Sequence, residues 1–321
     1  MTGTRLGLAL GSGSARGLAH IGVLKVLDRE EIPIDMIAGT SIGALVGGAY
    51  AVGVTPQEME DIALSVDIGR LLSLADVAKP TTALVNGRRA EAFIREVVGG
   101  KTFADAKIPF ACIAVDVAEE REVVLREGDL ASAIRASVST PVVFAPVERD
   151  GRVLVDGGVL NAIPVDVVRN MGADIAVAVT NLGIPRSAAP VFSSDPQMAS
   201  AETSWTQNGR FADIVYSRAI AAVMDRLRSP SVYQLAIGSV ELMQRELSEP
   251  RLEDADLVIA PLVDGAAYYS FYEAERIIAM GEKTAELAVG KIRSLMTGRV
   301  GRGVGSNEPP MAADKGDKEC T

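Results

Sequence analysis

The sequence predicts a layered α/β fold with a largely parallel sheet. Short apolar runs, such as those at residues 6–10 and 110–117, have the length of buried strands, and segments with helical spacing of apolar residues separate them. The runs at 6–10 and 35–38 each end at a glycine-rich turn that leads into a helix, so the same strand–turn–helix unit occurs twice. Alternation of this kind is typical of parallel sheets covered by helices.

The N-terminal elements follow from periodicity and from residues that break it. After the first strand, apolar residues recur at helical spacing through residues 21–27, until Pro33 interrupts the helix. A helix rich in small residues is predicted over 44–52, after the second strand. The run Thr55-Pro56-Gln57-Glu58 predicts a third helix start, because it combines a capping box with proline at the first helical position.

Further apolar runs and periodic segments predict the remaining elements. Strands are predicted at 110–117, 122–125, 152–155, 174–180 and 257–260, and helices at 164–171 and 271–296. Residues 184–210 are rich in proline and serine and are interpreted as a loop, which leads into an amphipathic stretch at about 214–246. The segment 184–246 is interpreted either as a lid over an active site or as an ordinary surface excursion.

Composition and charge narrow the class of protein. The 321 residues are 48% hydrophobic, and we expect one domain over 1–297 and a disordered tail over 298–321. The net charge of −10 disfavours nucleic acid as a partner and leaves only local, apolar contact with a membrane. Cys112 and Cys320 do not make a disulfide framework. The sequence lacks a secretory signal and an apolar run of about 18 residues, so we expect a cytoplasmic location.

Gly39-Thr40-Ser41-Ile42-Gly43 matches the nucleophile-elbow pattern, in which a serine occupies a strained turn between a strand and a helix. Such matches also occur by chance, and the alternative is a glycine-rich turn with an uninvolved serine. Here an apolar strand precedes the motif and a helix rich in glycine and alanine follows it. Ser41 is therefore predicted to be the nucleophile of an acyl-ester hydrolase.

A serine nucleophile needs a base, and the usual triad places a histidine after the serine. The only histidine, His20, precedes Ser41 and is more typical of a packed structural residue. A carboxylate is the next candidate, because a partly desolvated aspartate can accept the hydroxyl proton. Asp156 is the best placed, since it ends an apolar strand and is followed by Gly157 and Gly158, which allow a sharp turn. An Asp-Gly-Gly sequence by itself is usually only a turn.

The loop Gly11-Ser12-Gly13-Ser14-Ala15-Arg16-Gly17 is predicted to supply backbone donors for an oxyanion. Its glycine spacing also approaches that of a dinucleotide-binding loop. That alternative requires an acidic residue at the end of the second strand, where Ala38-Gly39-Thr40-Ser41 stands instead. Arg16 is interpreted as bracing the loop, and contact with a phosphate is the alternative.

Four sequence blocks, taken together, resemble the patatin-like phospholipase family, specifically its bacterial members related to the catalytic domain of neuropathy target esterase. The first two blocks are the glycine loop continued to Leu24 and the Ser41 elbow. The third comprises residues 136–141 and 144–146, and is similar to the family's loop before the catalytic aspartate. The fourth is Asp156-Gly157-Gly158, continued by Asn161 and Pro164-Val165. The resemblance spans most of residues 5–295.

The resemblance implies a three-layer α/β/α sandwich with a largely parallel central sheet, and a catalytic domain over 1–297 that uses no metal and no cofactor. It implies hydrolysis of acyl esters of phospholipids, lysophospholipids or simpler lipids by a dyad of Ser41 and Asp156. An acyltransferase, or a regulatory or lipid-binding protein with little activity, is the alternative. The implied partner is the lipid substrate, with transient contact to a membrane surface. Nothing in the sequence indicates an oligomeric state.

The resemblance also assigns the supporting residues. The oxyanion would be held by amides of Gly11, Ser12, Gly13 and Ser14, chiefly those of Ser12 and Gly13. Family members commonly have three consecutive glycines where this chain has Gly11-Ser12-Gly13, so the Ser12 side chain restricts the loop. The residues that support the motifs are Arg16, Gly17, Gly39, Gly43, Gly157 and Gly158.

Overall fold

The computed structural model describes residues 4–74, 76, 85–182, 232–263, 266 and 268–300. The strands are β1 (Leu6–Leu10), β2 (Met36–Thr40), β3 (Phe110–Asp116), β4 (Arg121–Leu125), β5 (Val147–Arg149), β6 (Arg152–Asp156), β7 (Ile175–Val179) and β8 (Leu257–Ile259). The α-helices in these ranges are α1 (Ala19–Arg29), α2 (Ile42–Ala51), α3 (Pro56–Ser65), α4 (Ile68–Leu74), α5 (Arg88–Val97), α6 (Leu130–Ser137), α7 (Val165–Asn170), α8 (Val232–Leu252) and α9 (Ala274–Val300).

The eight strands form one mixed sheet in the order β5-β6-β3-β2-β1-β7-β8, with β4 also paired to β3. The central pairings, β3 with β2, β2 with β1, β1 with β7 and β7 with β8, are parallel, as the sequence predicts. The pairings of β3 with β4 and β6, and of β5 with β6, are antiparallel. The sheet is therefore parallel only in its centre and at the β8 edge.

Helices cover both faces of the sheet, so the predicted α/β/α layering is confirmed. On one face, alternate strand residues such as Leu8 and Val177 join the apolar sides of α1, α2, α3 and α9 in the larger core. On the other face, Ala9, Ala38 and Ala176 join residues of α7 in a second core. Because these strand residues are alanines, α7 packs close to the strands.

On β3, two strands meet end to end along one edge. Residues 112–116 of β3 pair with β4, so the neighbours on the opposite edge are β2, paired at 110–113, and β6, paired at 114–116. Since β2 runs parallel to β3 and β6 antiparallel, their carboxyl ends converge. Thr40, the last residue of β2, pairs with Ile113, and Asp156, the last residue of β6, pairs with Ala114. Ser41, which follows β2, and Asp156, which ends β6, therefore lie next to each other.

The structure extends several sequence predictions. The capping box forms as predicted, because Thr55 Oγ1 accepts from the Glu58 amide at 3.2 Å and the Glu58 carboxylate accepts from the Thr55 amide at 2.8 Å.

The C-terminal part of the predicted cover is helix α8, whereas residues 184–231 lie outside the described part. Helix α9 ends at Val300, so residues 298–300 are helical, and 301–321 also lie outside it. No helix among the described residues is long and apolar enough to cross a membrane.

Candidate active site

Ser41 occupies the turn between β2 and α2 with φ 57° and ψ −122°, a combination that side-chain-bearing residues rarely adopt. Its two flanking glycines are required for this turn. A Cβ at Gly39 would lie 2.4 Å from the Gly43 carbonyl oxygen, and a Cβ at Gly43 would lie 2.2 Å from the Leu10 carbonyl oxygen. The elbow predicted from the sequence is therefore a close approach of three backbone segments, and its serine is strained.

This strain predicts a difference in stability between two inactive variants. Glycine adopts positive φ readily, so Ser41→Gly should have a free energy of unfolding about 1 kcal/mol higher than Ser41→Ala, after the greater entropy of unfolded glycine is deducted. Both variants lack the hydroxyl, so their difference isolates the backbone. Urea unfolding of the pair measures it, and equal stabilities would show that the turn is unstrained.

The end-to-end meeting of β2 and β6 brings Ser41 to Asp156. Ser41 Oγ donates to Asp156 Oδ2 at 2.8 Å. Thr140 Oγ1 donates to the same oxygen at 2.9 Å, and the Gly158 amide donates to Asp156 Oδ1 at 2.7 Å. Asp156 is only 2% exposed, so these three donors supply its local solvation in place of water.

The protonation of Asp156 reflects opposing effects. Burial raises the pKa of its carboxyl to about 6, while hydrogen bonds from Gly158, Ser41 and Thr140 act in the opposite direction. A carboxyl with this pKa is mostly ionised at neutral pH, yet is a stronger base than an exposed aspartate. The predicted pairing of Ser41 with Asp156 thus has the geometry and the charge state needed for proton transfer.

The glycine loop lies against the dyad, but two of its four candidate amides are already bonded. The Gly11 amide donates to the Val179 carbonyl at 2.9 Å, and the Ser12 amide donates to the Ala162 carbonyl at 2.8 Å. Each amide has one proton, so in this conformation the amides of Gly11 and Ser12 are already bonded within the fold, and their predicted role as oxyanion donors stays a prediction. The amides of Gly13 and Ser14 have no acceptor among the described residues. Both residues line a small polar cleft, which is bordered by Ser41, Asp156 and residues of α8 and is called the polar cleft below.

The Ser12 side chain points to the aspartate side of this cleft. Its Oγ is buried and has no hydrogen-bond partner in the described part of the chain. A Cβ on Gly158 would lie 2.8 Å from this Oγ and 3.1 Å from Asp156 Oδ1, so both groups border the same glycine. Ser12 therefore contributes a hydroxyl beside the dyad rather than a backbone donor.

The other motif residues hold the loop in place. Arg16 Nε donates to the Gly13 carbonyl at 3.5 Å, and Arg16 also forms an ion pair with Glu241 of α8. A Cβ at Gly17 would lie 2.1 Å from the Ile42 side chain, and a Cβ at Gly157 would lie 2.3 Å from the Ile113 carbonyl oxygen. These two glycines therefore permit close packing, one against α2 and the other against β3.

His20 belongs to the support of the glycine loop. Its Nε2 lies 2.8 Å from the Gly11 carbonyl oxygen and 3.4 Å from Asn181 Nδ2, and burial lowers its pKa to about 4. A neutral Nε2–H that donates to Gly11 fits this geometry. The ring contacts the loop, and its Nδ1 has no hydrogen-bond partner among the described residues.

Three further residues at the site had no role assigned from the sequence. Ser137 Oγ accepts from the Ser41 amide at 2.9 Å, and Thr140 donates to Asp156. Both fall in the third block of the family resemblance, which was the available signal. Tyr268, whose hydroxyl donates to Thr140 Oγ1 at 2.9 Å, belongs to no motif.

A cavity of about 390 Å³ opens beside Ser41. Its lining is almost wholly apolar and comes mainly from α2, α3, α5 and the loop after α6. The residues that line it include Leu18, Ile42, Leu45, Val46, Ala49, Met59, Ala63, Phe93, Ile94, Val97, Val143 and Phe144. Ser14, Ser41, Thr140 and Tyr268 line both this cavity and the polar cleft, so the dyad lies at the junction of the two. The described residues include no cluster of His, Cys, Asp and Glu suited to a metal ion.

Comparisons with known proteins find relatives of this chain. An uncharacterised NTE family protein of Mycobacterium tuberculosis is 37% identical over 194 residues, which cover 60% of this chain and 53% of the relative. Patatin-like phospholipase domain-containing protein 6 of Homo sapiens is 34% identical over 185 residues, 56% of this chain and 13% of that protein. The chain thus spans about half the length of the mycobacterial relative and a small part of the human one.

A solved structure, VipD from Legionella pneumophila, aligns with 90% of this chain and 67% of its own, with 12% identity and a TM-score of 0.47. The family model described as patatin-like phospholipase matches residues 8–169. This match covers half of the chain and includes the glycine loop, the Ser41 elbow and Asp156. The chain therefore belongs to the patatin-like phospholipase family.

Proposed function

We propose that this protein is a serine hydrolase of lipid acyl esters, with Ser41 as nucleophile and Asp156 as base. The observation that carries the proposal is the 2.8 Å hydrogen bond from Ser41 Oγ to Asp156 Oδ2, at the junction of the apolar cavity and the polar cleft. An oriented hydroxyl, a buried base and adjacent amides that have no acceptor in the described part of the chain are the parts that acyl transfer needs. The catalytic domain is taken as residues 1–297.

In the first half-reaction, Ser41 Oγ attacks the ester carbonyl carbon while its proton passes to Asp156 Oδ2. The carbonyl oxygen becomes an oxyanion, for which the Gly13 and Ser14 amides are the available loop donors. When the tetrahedral intermediate collapses, the bond to the alkoxy group breaks and Asp156 returns the proton to the leaving oxygen. The alcohol or lysolipid departs, and the acyl group remains on Ser41.

In the second half-reaction, water replaces the departed alcohol. Asp156 accepts a proton from the water as its oxygen attacks the acyl carbonyl, and the same amides stabilise the oxyanion again. Collapse of this intermediate breaks the bond to Ser41 Oγ, which regains its proton from Asp156. The net reaction consumes one water and releases one fatty acid, with no cofactor in any step.

The cavity supports an ester with an extended acyl chain as the substrate class. Phospholipids, lysophospholipids and simpler lipid esters all carry such a chain, and the human relative is named for its patatin-like phospholipase domain. Transient contact with a membrane surface and a cytoplasmic location remain predictions.

Chain-length preference follows from the position of Ala49. The cavity lining includes Ser41, Ile42, Leu45 and Ala49, which follow α2 away from the nucleophile. Ala49 is eight residues from Ser41, about 12 Å along the helix axis, a distance spanned by an extended chain of roughly ten carbons. In Ala49→Leu we expect kcat/KM for a C16 ester to fall about tenfold or more relative to a C4 ester, because a larger side chain narrows the cavity.

The matched control for this prediction is Ala51→Leu. Ala51 is buried on the same helix but does not line the cavity, so its replacement overpacks the core without blocking the chain. The ratio of C16 to C4 turnover should stay at the wild-type value in this control. If both variants change the ratio equally, the cavity does not bind the acyl chain.

The proposed function is tested with a fluorophosphonate probe, p-nitrophenyl esters and lysophosphatidylcholine. We expect the probe to label Ser41, as located by peptide mass mapping, and both ester types to release free acid. Transfer of the acyl group to an added alcohol or lysolipid, in place of acid release, would identify an acyltransferase. If the protein is neither labelled nor active, the regulatory or lipid-binding alternative replaces the proposal. The bonded amide of Ser12 is the observation that favours that alternative.

A further inference from the structure

Asp156 accepts a hydrogen bond from a second hydroxyl besides that of Ser41. Thr140, in the loop after α6, is 5% exposed, and its Oγ1 donates to Asp156 Oδ2 at 2.9 Å. Ser41 Oγ donates to the same oxygen at 2.8 Å. One carboxylate oxygen therefore accepts from both residues, and the Gly158 amide occupies the other oxygen at 2.7 Å.

Tyr268 completes a chain of donors that ends on this carboxylate. Its hydroxyl donates to Thr140 Oγ1 at 2.9 Å, and its backbone carbonyl accepts from the Ala15 amide at 3.2 Å. A threonine hydroxyl has a single proton, so a Thr140 that donates to Asp156 has only lone pairs left for Tyr268. The Tyr268 hydroxyl proton therefore points to Thr140, and the Thr140 hydroxyl proton points to Asp156. Tyr268 lies outside residues 8–169, the part of the chain that the family model matches.

We propose that Thr140 and Tyr268 are positioning residues that hold Asp156 Oδ2 toward Ser41 and stabilise its ionised form during the reaction. The inference rests on the proposed function and adds two residues to it. Thr140 fixes the side-chain rotation of Asp156, because turning Oδ2 away from Ser41 would also break the bond to Thr140. Tyr268 fixes the direction of the Thr140 proton.

The role of Thr140 can be measured as a change in the pKa of Asp156, and the other charged or titratable groups near this carboxylate are few among the described residues. Glu241 of α8 lines the same cleft and is paired with Arg16, while Arg135 of α6 bonds to Ser139. Tyr268 is the other titratable group in the cleft. A donor to the ionised carboxylate lowers its pKa, so losing the Thr140 hydroxyl should raise the pKa of Asp156.

The test compares Thr140→Val, Thr140→Ser, Tyr268→Phe and the double variant Thr140→Val with Tyr268→Phe. Two readouts are used: the pH dependence of kcat/KM for a p-nitrophenyl ester, and a ¹³C NMR titration of the aspartate carboxyls, with Asp156→Asn assigning the resonance. In Thr140→Val we expect the acidic limb and the carboxyl pKa to rise by about one pH unit, and kcat to fall about tenfold with little change in KM.

The remaining variants separate positioning from packing. Thr140→Ser keeps the donor and should retain the wild-type pKa, while Tyr268→Phe should raise it by less than Thr140→Val. The double variant should not exceed Thr140→Val, because Tyr268 acts through Thr140. Three outcomes would each overturn the inference while the dyad stands. They are an unchanged Asp156 pKa in Thr140→Val, additive effects of the two substitutions in the double variant, and a carboxyl pKa that shifts by NMR while the pH profile of kcat/KM does not. A wild-type enzyme with no ester turnover and no Ser41 labelling would remove the proposed function, and the inference with it.

Discussion

Replacing Ser41 with alanine is expected to lower kcat for acyl-ester hydrolysis by about four to six orders of magnitude. The Ser41 oxygen forms the covalent bond in the proposed reaction, and water has no comparable position against both Asp156 and the loop amides. Residual turnover would come from binding and from the oxyanion donors alone. Initial rates with a C8 p-nitrophenyl ester, measured on wild type and Ser41→Ala at equal concentration, give the ratio.

The control for this prediction is Ser248→Ala. Ser248 is also buried, and its hydroxyl bonds back to the Gln244 carbonyl of its own helix at 2.6 Å. Its loss should leave kcat within about twofold of wild type, since a bond of this kind contributes little to a helix. Fluorophosphonate should label Ser248→Ala as it does wild type and leave Ser41→Ala unlabelled. Similar turnover by Ser41→Ala and wild type would exclude Ser41 as the nucleophile.

Local sequence signals predicted much of the fold because they act within a few residues. The run at 6–10 matches β1 at both ends, and the capping box at Thr55 begins α3 at Pro56. Helix α5 was not predicted, although Ala90, Phe93, Ile94 and Val97 recur at helical spacing and line the cavity. Its signal was present in the sequence, and the polar residues between these four weakened it.

The placement of Asp156 shows where local signals end. The sequence predicts that Asp156 lies near Ser41 because parallel strands gather their carboxyl ends at one side of the sheet. In the structure the two residues meet because β6 is antiparallel to β3 and occupies the same edge as β2. The apolar run that precedes Asp156 is compatible with either direction, because strand direction depends on the connections and not on the pattern.

The glycine loop illustrates a second limit. Its sequence indicates a set of backbone donors, yet the structure bonds the Gly11 and Ser12 amides to Val179 and Ala162. These acceptors come from segments far along the chain, so no spacing within the loop distinguishes its bonded amides from Gly13 and Ser14. Tyr268 presents the same difficulty, since a single tyrosine outside any motif acquires its role only through a tertiary contact.

Asp156→Asn is expected to lower kcat by about 10⁴-fold, as amide replacement of a buried catalytic aspartate does elsewhere. The amide oxygen would take the bond from the Gly158 amide, which turns the NH₂ group toward Ser41 and Thr140. Ser41 Oγ would then accept a hydrogen bond from the NH₂ group where it now donates one to the carboxylate, and no base would remain. For wild type, kcat/KM should rise with pH through about 6, as Asp156 ionises.

The same substitution should change how stability depends on pH. Burial raises the pKa of Asp156 to about 6 from 3.8, so between these pH values the folded protein binds more protons than the unfolded chain. The free energy of unfolding of wild type therefore falls as pH rises from about 4 to about 6, by roughly 2 kcal/mol from this group. Asparagine has no charge to bury, so Asp156→Asn should gain stability relative to wild type by about that amount between pH 4 and pH 7. Urea unfolding of both proteins at the two pH values measures the gain, and a difference independent of pH would mean that Asp156 is not a buried, ionised base.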